Sequence, residues 1–153
     1  MEYGTLSYDY RNVGHNVTNS FSKPINTFKE ATKKATHNVL NDIDAYPLIE
    51  KVLSFKAKNK VSANLISRAL IFISQLAQIR NEYELVNYPP AILYNELDEI
   101  VYEWWGRGKK LTIYLAEDSV EYVQVWGINI HSEMDDGHLT EQKLKYLMCW
   151  MEC

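Results

Sequence analysis

Cysteine is scarce in this chain of 153 residues: Cys149 and Cys153 are the only two, one helical turn apart near its end. A disulfide between them would close a tiny loop and restrain little of the chain. Reduced thiols in a cytoplasmic protein are the expectation. No apolar run approaches the length needed to cross a bilayer, so no membrane partner is expected. Met1-Glu-Tyr-Gly-Thr5 has neither the basic start nor the apolar core of a secretory signal. Cationic excess is missing too. A net charge of −4 argues against a general nucleic-acid binder, because such binding depends on neutralising phosphates; a local basic patch remains compatible. The chain lacks a Ser/His/Asp order, a phosphate-binding glycine loop, a nucleotide fingerprint, an internal repeat and a low-complexity tract. No cofactor is implied, and oligomeric state is left open.

What is present is an ordinary globular composition, 46% apolar and 24% charged, in one domain long enough to bury a core. Eleven tyrosines and four tryptophans suit half-buried positions, where a ring packs and a polar tip stays wet.

Residues 1–23 are polar, with Tyr3, Tyr8 and Tyr10 but no clean period, and read as a loosely held arm. Residues 24–153 read as one α+β domain. Its helical part is expected over 27–80, its β-meander over 91–131, and a C-terminal helix over 140–151. Thr27-Phe-Lys-Glu30 is a capping box. Phe28, Ala31, Ala35, Val39 and Ile43 follow at helical spacing. A short helix from about Pro47 to Phe55 should turn Leu48, Ile49, Val52 and Leu53 inward, and Lys56-Ala-Lys-Asn-Lys60 reads as a polar connector. Ser62 caps a longer helix. Leu65, Ile66, Ala69, Ile73, Leu76 and Ala77 form its apolar face, flanked by Leu70 and Phe72, and Ser67, Gln75 and Gln78 lie outside that face. Pro89-Pro90 forbids any continuation.

A meander is expected next. Ala91–Tyr94 is a first strand and Asn95–Asp98 a turn. Ile100, Tyr102 and Trp104 alternate with Val101, Glu103 and Trp105, and Leu111, Ile113 and Leu115 with Thr112 and Tyr114. Gly106-Arg-Gly108 supplies the positive φ angles of a hairpin between them. Val120–Trp126 reads as a central strand covered on both faces. After a register shift at Gly127, Ile128 and Ile130 are expected to face the core opposite Asn129 and His131. Asp135-Asp-Gly-His138 reads as a turn, and Thr140 caps the last helix, with Leu144, Leu147, Met148 and Met151 as its stripe.

The segment from about Ser62 to Met151 resembles a pattern seen in many small, uncharacterised bacterial proteins. The residues that carry it are Ile100, Glu103, Trp104, Leu111, Ile113, Val120, Tyr122, Gly127, His131, Gly137 and Leu139. It departs in the first turn, where a glycine is more usual than Asn95-Glu96. The resemblance implies an architecture, a helix leading into an antiparallel meander with a closing helix, and no agreed activity.

Four groups are candidates for chemistry. His131 and His138 bracket Glu133, Asp135 and Asp136, a plausible metal or acid–base set, although without tight ligand spacing; a plain turn beside a polar-face histidine accounts for the same residues. Cys149 and Cys153 would need a distant histidine to hold zinc, and they read better as a small packed thiol and a terminal one. Glu103, between aromatics, could carry a raised pKa or simply pair with a lysine across the hairpin. The hairpin 104–110, Trp-Trp-Gly-Arg-Gly-Lys-Lys, joins aromatics to three cations. It could touch single-stranded nucleic acid, with Lys51, Lys56, Lys58 and Lys60 extending the surface. Lysines guarding a strand edge are the simpler account.

The expected fold is α+β: N-terminal helices packed on an antiparallel four- to five-stranded β-meander, closed by a C-terminal helix. The expected function is that of a non-enzymatic protein-binding or regulatory protein of a bacterium or mobile element, of antitoxin, immunity or inhibitor type. A nucleic-acid accessory using the hairpin and a small metal-dependent or acid–base enzyme at His131 are the alternatives. Trp105, Arg107, Lys109, Lys110 and Tyr114 are the expected contact residues, because binding hot spots are rich in tryptophan, tyrosine and arginine. No catalytic and no metal-binding residue is assigned.

Overall fold

The computed structural model describes residues 45–59, 61–86, 89–129 and 131–153, without the side chains of Lys58 and Asn59. The arm over 1–23, the stripe from Phe28 to Ile43, Lys60 and Ile130 lie outside the described residues.

The described residues form an α+β fold. Helix α1 spans Tyr46–Asn59 and α2 spans Ala63–Tyr83, followed by strands β1 (Ala91–Tyr94), β2 (Ile100–Gly106), β3 (Lys109–Leu115), β4 (Val120–Val125) and β5 (Met134–His138), then helix α3 (Glu141–Glu152). The five strands pair antiparallel in sequence order, so each connection is a short turn between neighbours. Ile100, Tyr102 and Trp104 on β2 stand opposite Leu115, Ile113 and Leu111 on β3, and Val120 and Tyr122 on β4 continue the same face. All eight are buried. Period-two alternation thus puts one apolar face under the helices. Helices α2 and α3 pack on β3, and α1 packs on α2 and the β1 edge. The Tyr102 hydroxyl donates to the Ala69 carbonyl at 3.3 Å, and its ring lies 4.8 Å from that of Phe72. Burial without a charge partner drives the Tyr102 phenol well above the ordinary tyrosine range.

The turns are built from side chains. Asn95 Oδ1 accepts from the amides of Leu97 and Glu99, both at 3.0 Å, and Asp98 takes the left-handed φ of 59°. Asp tolerates that region, which accounts for a turn here without glycine. In the β2–β3 hairpin the positive φ values belong to Arg107 and Gly108, not to Gly106. The β3–β4 turn is held from below. Arg68, buried on α2, donates to the carbonyls of Glu117 and Ser119, while the helix-capping Ser62 also donates to the Glu117 carboxylate. Desolvation lowers the Arg68 pKa, opposed by nearby Asp118 and Glu117.

Five expectations need correction. Leu53 is 46% exposed and Phe55 takes its inward place, because Phe55 continues the helical stripe of Leu48 and Val52, and α1 runs on to Asn59 through the stretch read as a connector. Phe72 is buried on α2, where it was read as a flank, and Ala77 is only half-buried. Helix α2 ends later than expected, at Tyr83, where Glu84 adopts a left-handed cap. β4 is interior to the sheet but covered on one face only: Glu121 is exposed, and Val123 and Val125 are half-buried on a side that no described helix covers. The last strand is also not where apolar residues suggest. Ile128 is fully exposed in a loop, and the acidic stretch read as a turn forms β5, which extends the meander to His138. The loop closes on itself, because Glu133 accepts from the Trp126 amide through its carbonyl and from the Asn129 amide through its carboxylate. A Cβ on Gly127 would fall 2.2 Å from that carboxylate, so the glycine leaves it room.

Candidate partner interface

The outer face of the meander is the candidate site. Strand register arranges it in rows. Leu93, Val101, Tyr114, Glu121 and His138 form one, Ala91, Glu103, Thr112, Val123 and Asp136 the next, and Trp105, Lys110, Val125 and Met134 the third. No described helix packs on this face. It is uneven. Val101 and Thr112 are buried, whereas Leu93 is 50% and Trp105 61% exposed.

The five expected contact residues divide into two groups. Trp105 and Lys110 are cross-strand partners. The Lys110 ammonium lies 4.3 Å from the centroid of the Trp105 indole and 2.7 Å from Glu103 Oε1. Glu103 fixes the cation, and the cation sits on the ring, so Trp105 projects from the sheet with one side already held. Tyr114 is half-buried two rows away, between Val101 and Glu121. Arg107 and Lys109 belong elsewhere. Both reach the C-terminal end of α3, where Arg107 donates to the Glu152 carbonyl and Lys109 to that of Trp150. Cations are stabilising against a helix C-terminus and its orphan carbonyls, so this pair ties the hairpin to the helix.

The other candidate groups do not assemble. His131 lies exposed in the β4–β5 loop and His138 at the far end of β5, facing Glu121 at 3.9 Å. Asp135 turns to the helix side, where its Oδ2 accepts from Tyr122 at 2.9 Å and Lys143 at 3.0 Å. These two hydrogen bonds, with Lys143 first, hold its carboxyl below the usual range. Among the described residues no three His, Cys, Asp or Glu side chains converge as a metal site. Cys149 is half-buried and Cys153 exposed, both as free thiols. Glu103 is bonded to Lys110 rather than isolated between the tryptophans.

The sequence reading missed Leu93, Val123, Val125 and Met134 as members of this face. The phase of alternation carries the signal for Leu93, but not for Met134, which precedes two aspartates. It also missed Trp126 and Ile128, exposed in the β4–β5 loop at the same end of the sheet as the β2–β3 hairpin.

Comparison with protein-family models, curated proteins and solved structures gives no match. The fold is compatible with the expected architecture of a helix leading into an antiparallel meander with a closing helix. No helix among the described residues is long and apolar enough to cross a membrane.

Proposed function

We propose that this is a non-enzymatic binding protein, of the antitoxin, immunity or inhibitor type, from a bacterium or mobile element. Its outer sheet face takes a protein partner. The single observation that supports this most is the held, 61% exposed Trp105 on a face that no described helix covers. A preorganised aromatic loses little rotamer freedom on binding and is a common interface anchor. Tyr114 and Leu93, two rows away on the same face, add apolar area, and Glu121, Asp136 and His138 supply a polar rim. Free thiols and the lack of a spanning helix among the described residues accord with the cytoplasm as its place of action.

The nucleic-acid alternative has weaker support, because Arg107 and Lys109 are engaged at the end of α3 and Lys110 on Glu103. Co-purification from the native host followed by binding measurements across a salt series tests the reading. A protein partner should lose at least about tenfold in affinity with Trp105→Ala, as interface anchors do, and should tolerate moderate salt. If binding instead survives Trp105→Ala, collapses in Lys109→Ala/Lys110→Ala and falls steeply with salt, the partner is nucleic acid and the proposal is wrong.

A further inference from the structure

Strand β5 is the last in the sheet, so one side of its backbone pairs with β4 and the other with no described strand. The opposite edge strand, β1, is flanked by α1. Which groups of β5 face outward follows from the ladder. The Trp126 amide donates to the Glu133 carbonyl, and the Leu139 amide to that of Val120. These bonds bracket the β4–β5 register, and bonded pairs alternate along an antiparallel ladder. Asp135 and Gly137 therefore turn their backbone to β4, and Met134, Asp136 and His138 turn theirs away from the sheet. The Asp136 amide is also directed at the Asp135 carboxylate, which leaves the Met134 and Asp136 carbonyls and the His138 amide open among the described residues. The side chains of these three residues lie on the outer face, where Met134 ends the row that Trp105 begins. Beside them is a hollow of about 250 Å³ whose lining includes Tyr114, Glu121, Val123, Asp136 and His138. It is acidic. Among the described residues Asp136 makes no ion pair, and Glu121 faces the exposed His138 at 3.9 Å.

We propose that β5 accepts an extended strand of the protein partner, which carries an arginine or lysine opposite Asp136. This rests on the reading of the chain as a protein binder and adds how the partner's backbone is held. Strand addition satisfies the open groups of β5 with main-chain hydrogen bonds and sets alternate partner side chains on the face that bears Trp105. The cation stands one strand spacing from Asp136, about 5 Å, and its stem lies over Val123 in the hollow, with Glu121 beyond. A second copy of this chain fits poorly. Antiparallel pairing of two β5 strands about Asp136 sets their Asp136 carboxylates against each other, and like charges directly opposite are destabilising. The same carboxylate keeps the open edge from pairing indiscriminately and favours a cationic strand.

Nuclear magnetic resonance of the isotope-labelled full chain, titrated with the capped peptide Thr-Val-Thr-Arg-Thr-Val-Thr to millimolar concentration, tests this. The alternation of the peptide sets Val, Arg and Val opposite Met134, Asp136 and His138. The amide signals of β5 should shift, and the His138 amide should exchange at least about tenfold more slowly. A peptide with Glu in place of Arg should bind at least about tenfold more weakly, and Asp136→Lys should reverse that preference. N-methylation of the Arg amide removes the donor to the Asp136 carbonyl and should abolish binding. If β5 does not respond to the peptide, or if its response ignores both N-methylation and the exchange of charge, the edge takes no strand and the proposal fails. These readouts do not involve Trp105, and they should persist in Trp105→Ala. A native partner that ignores Trp105→Ala would sink the anchor reading through a separate measurement, so the two failures are distinguishable.

Discussion

Lys109 Nζ lies 2.8 Å from the carbonyl oxygen of Trp150 and 4.9 Å from the centroid of its ring. One residue of the β2–β3 hairpin thus bonds the last turn of α3 and stacks on it. The hairpin cations that sequence alone offers to a phosphate backbone are in part structural ties. Lys109→Met keeps the aliphatic stem and removes the charge. It should destabilise the protein by about 1 kcal/mol, as expected for a cation at a helix C-terminus. Urea midpoints check the size, and faster amide exchange confined to the end of α3 checks the place.

Ile113 is fully buried at the centre of β3, opposite Tyr102 and Tyr122. Ile113→Asp places an unpaired carboxylate under the helices. Its cost is comparable with the roughly 5–15 kcal/mol that holds a domain of this kind together. Loss of the cooperative thermal transition and of near-ultraviolet dichroism is the expected result. A variant that melts like the parent would refute the assigned strand face.

Trp105 should behave in the opposite way. Its ring is mostly exposed and touches the Lys110 ammonium. Trp105→Ala should therefore leave stability within about 0.5 kcal/mol of the parent, as for other surface changes. Denaturant unfolding measures this. It also licenses the binding comparison, because a variant that folds normally but loses its partner has lost a contact and not a fold.

Asp135 sets a pH dependence. Its carboxyl is held below the usual range by Lys143 and Tyr122, so the unfolded chain takes up this proton more readily than the folded one. The carboxylate therefore contributes stability above its unfolded value of about 3.8, and that contribution is lost as pH falls through the lower folded value. Asp135→Asn should be less stable than the parent at neutral pH, with the difference shrinking as pH falls through the lowered folded value. Urea midpoints of both proteins from neutral pH down into the acid range give the curve. A difference that stays constant with pH would assign the effect to packing.

The contact residues illustrate how far a pattern can be read. Alternation placed Trp105 and Tyr114 on the face opposite Trp104 and Ile113, and the structure places them there. It could not separate Lys109 from Lys110. The two are adjacent, so they point to opposite faces, and only the position of α3 engages one of them with helix carbonyls while the other sits on Trp105.

The sequence by itself determined where α2 and α3 begin, at their Ser62 and Thr140 caps, and the buried faces of β2 and β3. In those stretches local hydrogen bonding and apolar periodicity agree. Tertiary structure alone decided β5 and the exposure of Ile128. Met134-Asp-Asp-Gly-His138 has little strand propensity, but pairing with β4 satisfies one edge of its backbone, and Asp135 finds Tyr122 and Lys143 on the helix side. Ile128 has the apolar character of a core residue. The backbone hydrogen bonds that close the loop between Trp126 and Glu133 leave it no core to reach.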